Sequence, residues 1–266
     1  MPGLVVDLDG TVYRGDVLIP GAAGALDRLR AAGYRVVFAT NKSIARAKDY
    51  TEKLTHLGVS SDEGHIVTVN EVLTQHLVNK FGRNATVLVI GEDPLREELT
   101  GAGLAVTGTV RDAHAVALGW DRRFDYQKLD AVFQAGLRGT HIAATNPDVT
   151  CPVETGEMPD CGAQIAAVEA ALGRAVDIVV GKPAATMAQA AVQRLGLPPA
   201  ECTMVGDRIE TDIKMANETG LRSALVLSGV TTPQQASASR WRPDVVCTGL
   251  VELADTLLSE AGNAEN

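Results

Sequence analysis

Short aliphatic runs alternate with amphipathic stretches along almost the whole chain, and most of the runs stop at a polar or acidic residue. Residues 4–6, 35–39 and 66–68 form such runs near the amino terminus, and 177–180, 202–205 and 223–227 repeat the pattern near the carboxyl end. Runs this short, rich in Val and Ile and bounded by Gly or Asp, read as strands buried on both faces. Between them, Leu26 and Leu29 share a helical face closed by Gly33. Ile44, Ala47, Leu54 and Leu57 share another, with Ser43 as its expected N-cap. Residues 186–195 and 211–219 complete the helical complement of this half. Alternation of strand and helix is the signature of βαβ units, so the chain is read as an α/β fold with a doubly wound, Rossmann-like parallel sheet.

The same grammar runs a second time in the middle. Strands are expected at 86–90, 115–118 and 141–144, and helices at 125–136 and 163–172. A hundred residues is too long for a loop and long enough for a domain. The expected organisation is therefore a core built from 1–73 and 177–266, with a smaller α/β domain, 74–176, inserted between its halves. Residues 259–266 read as a frayed tail.

Composition narrows the function classes. The formal net charge of -9 disfavours nucleic acid and anionic membrane as partners. No apolar run approaches the roughly 20 residues a membrane span needs, and acidic residues interrupt any signal-like apolar segment within the first ten positions. Cytoplasm is the expected location. The four cysteines are scattered without a CxxC pair, which argues against a zinc site or a disulfide framework.

Four segments carry chemistry, and each lies just past the carboxyl end of an expected strand, where open α/β sheets place their ligands. In Asp7-Leu8-Asp9-Gly10-Thr11, Gly10 permits a turn that gives the two carboxylates different tasks. One can attack phosphorus, and the other can protonate a leaving oxygen and then deprotonate water. Thr40-Asn41-Lys42-Ser43 offers a hydroxyl, an amide and helix-start N–H groups to an anion. Gly181-Lys182-Pro183 puts a cation at the sheet's edge, with Pro183 restricting the backbone of Lys182. Gly206-Asp207-Arg208-Ile209-Glu210-Thr211-Asp212 supplies hard oxygen ligands suited to Mg²⁺. Any one segment is compatible with a purely structural role. All four in this order supply a nucleophile, an acid/base, a metal site and positive charge, which is what phosphoryl transfer requires.

These segments, DLDGT, TN, GKP and GDRIETD, match in order the four motifs of the haloacid dehalogenase-like hydrolases. The chain resembles in particular the NagD-like, p-nitrophenyl-phosphatase-like subfamily (class IIA, C2-type cap), and the likeness covers essentially its whole length. Residues 89–92, 144–148 and 226–229 also look like that subfamily. The resemblance implies a phosphatase for small phosphate monoesters that works through an aspartyl phosphate. It makes Asp7 the nucleophile and Asp9 the general acid/base. Mg²⁺ would be held by the Asp7 side chain, the Asp9 carbonyl and Asp207, with Asp212 in support, and the substrate phosphate by Thr40, Asn41 and Lys182.

Two departures stand out. Lys42 replaces the second Asn of a common TNN, adding a positive charge beside the substrate, and Asp160-Cys161-Gly162 stands where Gly-rich sequence is common. The inserted domain would act as a cap favouring compact substrates, with contacts expected around 146–151. Apolar cap residues could support a homodimer, which the sequence does not show. A phosphotransferase or mutase of the same fold is the alternative reading; a non-catalytic phosphate-binding module is a weaker one, since it could dispense with Asp7 or Asp9.

Overall fold

A computed structural model of the chain describes residues 1–153 and 156–264. They divide into two compact units: one formed by Met1–Thr40, Ala47–Val67 and the chain from Lys182 onward, the other by Asn41–Arg46 and Thr68–Gly181.

The first unit is built on a six-stranded sheet. Its order is Val245–Cys247, Arg222–Val226, Cys202–Gly206, Gly3–Val6, Arg35–Thr40 and Ile66–Thr68. Pairing is parallel from Val245–Cys247 through Arg35–Thr40. Gly3–Val6 is buried along its whole length, which is why it reads as a continuous apolar run and not as an alternation. Its neighbours sit in register, with Val6 opposite both Val205 and Phe38. From Gly3–Val6 the chain first winds to one side of the sheet and later returns to the other. The order therefore reverses between Gly3–Val6 and Cys202–Gly206. At such a switch point the loops leaving adjacent strands diverge and open a crevice.

Helices Ala22–Ala31 and Leu250–Ala264 pack on each other, and the first buries Ala22, Ala25, Leu26 and Leu29. Helix Ala185–Leu195 lies against strands Gly3–Val6 and Arg35–Thr40. The helix expected over 211–219 begins instead as a π-helical turn, Ile209–Ile213, and becomes regular at Lys214–Thr219. Single π turns widen a helix locally and are common at functional sites. Among the described residues no helix is long and apolar enough to cross a membrane.

The second unit has its own five-stranded parallel sheet, in the order Ile178–Val179, His141–Ala144, Ala115–Leu118, Thr86–Ile90 and Ala105–Thr107. Helices Val69–Phe81, Asp93–Gly101, Tyr126–Leu137 and Cys161–Leu172 belong to it, with an antiparallel hairpin of Thr150–Val153 and Gly156–Pro159. Its core gathers Leu88, Ile90, Val116, Leu118, Trp120, Ile142 and Val168. Asp125 caps one helix by accepting from the Lys128 N–H, and Thr68 caps another by accepting from the Glu71 N–H.

Three expectations are corrected. The strand at 177–180, grouped with the C-terminal half on sequence, pairs with Ala143 and Ala144 in the second unit's sheet. An apolar run carries no label for the sheet it joins. Of the expected frayed tail, residues 259–264 are helical and 265–266 lie outside the described residues: Leu253, Ala254 and Leu257 bury one face of the same helix, and Arg222 grips Glu260 through two hydrogen bonds of 2.6 and 2.8 Å. Ser43 is not a helix cap, since the helix starts at Ala47. Its buried hydroxyl accepts from the Trp120 N–H at 3.0 Å, and Ile44 packs on the second unit's core.

Candidate active site

The site grows from the two strands that flank the switch point. Asp7 follows the buried strand Gly3–Val6, and its N–H donates to the Val205 carbonyl at 2.8 Å, so the residue is fixed by the ladder itself. The chain then folds over: the Leu8 carbonyl accepts from the Val12 N–H at 2.9 Å, and the Gly10 N–H donates to the Tyr13 carbonyl at 2.7 Å. Gly10 adopts φ +85°, and a Cβ there would collide with the Asp207 carboxylate. Both the turn and the close approach demand glycine.

Around Asp7 the first unit gathers three more charged side chains. The Lys182 ammonium, 2% exposed, pairs with the Asp7 carboxylate and lies 2.8 Å from Asp212 Oδ1. Asp7, Asp207 and Asp212 each present a carboxylate oxygen, and the three oxygens lie within 4.8 Å of one another. The π turn carries Asp212 into this group, its Oδ2 accepting from the Arg208 N–H at 3.1 Å. Asp207 Oδ2 accepts from the Val230 N–H at 2.7 Å. Its other oxygen is buried with no hydrogen-bond partner among the described residues.

Electrostatically the cluster is short of positive charge. Burial pushes the Asp7 carboxyl well above its ordinary range; the Lys182 ammonium pulls it down, but the Asp212 and Asp207 carboxylates reinforce the rise. Burial, then the Asp212 carboxylate, raises Asp207 to about 6. Burial alone would depress Lys182, yet Asp212 and Asp7 outweigh it and hold the ammonium protonated far above neutral pH. One cation facing three buried carboxylates, one of them with an orphaned oxygen, fits a hard divalent ion that takes few protein ligands and keeps the rest of its shell for water and substrate.

The remaining expected residues fall in different places. Asp9 is half-buried, bridged to Tyr13, and is not a member of the acidic triad. Thr40 is buried at the end of Arg35–Thr40. Asn41 and Lys42, the two residues that follow Thr40, belong to the second unit. There the Asn41 amide donates to Asp148 Oδ2 at 2.9 Å, and its carbonyl accepts from the Asn146 amide at 2.9 Å. Asp148 N–H closes the network on Asn146 Oδ1 at 3.0 Å. Asp160, which accepts from the Cys161 N–H, is raised to about 6 by burial, with the Lys42 ammonium among the influences that lower it.

The segment after strand Arg222–Val226, which the sequence marks at 226–229 only as resembling the subfamily, has a role that sequence reasoning did not assign. Ser228 Oγ donates to the Gly10 carbonyl at 2.7 Å, Arg14 Nε donates to the Ser228 carbonyl at 2.7 Å, and Val230 holds Asp207. A Cβ on Gly229 would strike the Asp207 carboxylate. The signal was a glycine directly beyond a fifth buried strand, the same signature that marked the other motifs.

With this geometry in view, two family models match the chain: haloacid dehalogenase-like hydrolase over residues 4–105 and HAD-hydrolase-like over 179–253. The sugar-phosphatase AraL of Bacillus subtilis is 37% identical over 261 residues, spanning 98% of this chain and 94% of that protein. The p-nitrophenyl phosphatase of Archaeoglobus fulgidus superposes with a TM-score of 0.91 at 30% identity, over 96% of this chain and 98% of the other. A glycerol phosphate phosphatase of Mycobacterium tuberculosis, solved in complex with magnesium, gives 0.88 at 31% identity over 95% and 76%. The chain therefore belongs to the haloacid dehalogenase-like hydrolases, in their NagD-like, p-nitrophenyl-phosphatase-like branch, and is a phosphoric monoester hydrolase.

Proposed function

We propose that this chain is a magnesium-dependent phosphatase for compact polyol or sugar phosphates, working through a phosphoaspartate at Asp7. The observation that carries the reading is the buried meeting of Asp7, Lys182, Asp207 and Asp212 at the switch point of the sheet. The named activities of the relatives support the substrate class.

In the first half-reaction an Asp7 carboxylate oxygen attacks phosphorus, the ester P–O bond breaks, and Asp9 gives its proton to the departing alkoxide. In the second, Asp9 takes a proton from water, whose oxygen attacks the same phosphorus, and inorganic phosphate leaves with Asp7 restored. Lys182 neutralises the attacking carboxylate and a phosphoryl oxygen in turn, and Thr40 and Asn41 donate to the others. Lys42 adds charge beside them. The Asp7 and Asp207 carboxylates and the Asp9 carbonyl would hold Mg²⁺, supported by Asp212. That ion would supply electrostatic stabilisation of the phosphoryl group and keep Asp7 ionised despite its burial.

We assign the second unit the part of the cap domain. Its two segments, Asn41–Arg46 and Thr68–Gly181, start directly after Thr40 and end directly before Lys182, two of the proposed phosphate ligands. Leaving-group selection then falls to residues such as Asn146 and Asp148. The test is phosphate release from a panel of esters, including p-nitrophenyl, glycerol and sugar phosphates, with Mg²⁺ and with chelator. Metal-independent turnover, or turnover by Asp7→Asn, would overturn the mechanism.

A further inference from the structure

Two of the chain's five histidines meet in the second unit, away from any residue given a role above. His76 lies on helix Val69–Phe81 and His141 opens strand His141–Ala144. Their Nε2 atoms are 3.2 Å apart, with ring centroids at 5.4 Å and planes inclined by 29°. Two neutral imidazoles can share one proton at this distance as an N–H···N hydrogen bond. The same separation also suits a shared metal: an ion about 2.05 Å from each nitrogen would see them at roughly 103°, close to a tetrahedral angle.

We propose that His76 and His141 form a binding site for an imidazole-preferring divalent transition metal, Zn²⁺ or Cu²⁺, which ties helix Val69–Phe81 to strand His141–Ala144. The ligand chemistry separates this site from the acidic cluster, since imidazole suits Zn and Cu whereas carboxylate suits Mg.

The surroundings bear on whether the nitrogens are free to ligate. Burial lowers the pKa of His76, helped by His141 and Lys80. Burial also lowers His141, with Lys80 and Arg174 adding to the effect and Asp177 opposing it. Both rings are thus neutral at physiological pH, the state a metal ligand must have. Asp177 Oδ2 stands 3.8 Å from His141 Nδ1, on the ring nitrogen that faces away from the pair. From that position a carboxylate favours the Nδ1–H tautomer and leaves Nε2 as the donor atom. Asp177 is itself anchored, accepting from the Ile142 N–H at 2.7 Å and lying 3.6 Å from Arg174. Phe81 packs against the His141 ring at 5.6 Å and limits its rotation. When the metal enters, the shared proton moves to Nδ1 of its own ring, so the binding step requires no net proton release. Lys80 and Arg174 are the unfavourable charges, and they set the affinity below that of a closed structural zinc site.

The experiment uses the full chain with saturating Mg²⁺, so that the acidic cluster is occupied. Titration with Cu²⁺ is followed by electron paramagnetic resonance, and imidazole resonances by NMR. The expected result is one equivalent of Cu²⁺ with superhyperfine structure from two nitrogens, and broadening of the His76 and His141 resonances before those of His56, His65 and His114. His76→Gln and His141→Gln should each lose the two-nitrogen signal while keeping Mg²⁺-dependent phosphatase activity. Asp177→Asn should weaken binding less than the loss of either ring, since at 3.8 Å the carboxylate acts on His141 through its charge and not through a hydrogen bond. Zn²⁺ should raise the melting temperature of the wild type and not of either Gln variant. Equal broadening of all five histidines, an oxygen-only copper signal, or copper binding unchanged in both Gln variants would overturn the site and leave only a proton-sharing pair. The phosphatase reading stands or falls independently, because it is read by turnover.

Discussion

Replacing Lys182 by Met tests how the acidic cluster is held. The ammonium is buried 2.8 Å from Asp212 Oδ1 and pairs with Asp7 as well. At an effective dielectric of 20 the Asp212 contact alone is worth about 6 kcal/mol of Coulomb energy, part of which offsets desolvation. Removing one partner of a buried pair leaves charge uncompensated and typically costs about 3–5 kcal/mol. Here two carboxylates lose the same cation, so the upper part of that range applies, which corresponds to a fall in melting temperature of roughly 10 °C or more. Urea denaturation at neutral pH in chelator, with Lys182→Met against wild type, reads this directly. The loss should shrink on acidification, as protonation removes the stranded negative charge, and it should shrink when Asp212→Asn is added to Lys182→Met. Mg²⁺ should restore stability to the variant without restoring turnover. Lys182→Met in chelator within about 0.5 kcal/mol of wild type at neutral pH would refute the electrostatic reasoning.

Other outcomes follow from the same geometry. Asp207 has a folded pKa of about 6 against 3.8 unfolded, so the metal-free folded state binds more protons and its stability falls as pH rises from about 4 to 6. The drop is up to roughly 3 kcal/mol, and saturating Mg²⁺ should abolish it in pH-dependent denaturation curves. Asp160 has the same sign and window in the second unit, so Asp160→Asn, which keeps a capping oxygen, should gain about 1–3 kcal/mol at pH 7 and nothing at pH 4. Gly10→Ala should cost about 1–3 kcal/mol and most of the activity, because φ +85° strains an alanine and its Cβ displaces Asp207. Asp7→Asn should lower turnover at least a thousandfold with the fold retained, as measured by steady-state kinetics and circular dichroism.

The parts legible in sequence were those where one local signal decides one local outcome. The run 4–6 ending at Asp7, the run 202–205 ending at Gly206-Asp207, and Gly10 directly after the two acids Asp7 and Asp9 each announced a strand end and a turn, and Asp7, Lys182, Asp207 and Asp212 do converge. What stayed hidden needed partners far along the chain. Strand Ile178–Val179 looks like its neighbours in sequence, and only pairing with His141–Ala144 decides its sheet. Ser43 has the character of a helix cap, but the Trp120 N–H, 77 residues on, claims its hydroxyl. Residues 259–264 include no large apolar side chain, and the helix that continues through them is held by Arg222 opposite Glu260. Asp212 enters the acidic cluster through a π turn that helical periodicity does not encode. Residues 226–229 resemble the subfamily in sequence, but the support that Gly229 and Val230 give Asp207 was not legible there, because neither residue carries charge of its own.

The proposed chemistry turns on which atom carries the phosphoryl group between the two half-reactions. Enzyme mixed with substrate and Mg²⁺, quenched in acid and reduced with borohydride, converts an acyl phosphate into homoserine at the residue that bore it. Mass spectrometry of the peptide spanning positions 4–14 should find homoserine at position 7, formed only with substrate and absent in Asp7→Asn. Unmodified aspartate at that position during active turnover, or homoserine at Asp9 or Asp207 instead, would contradict the assignment of Asp7 as the nucleophile.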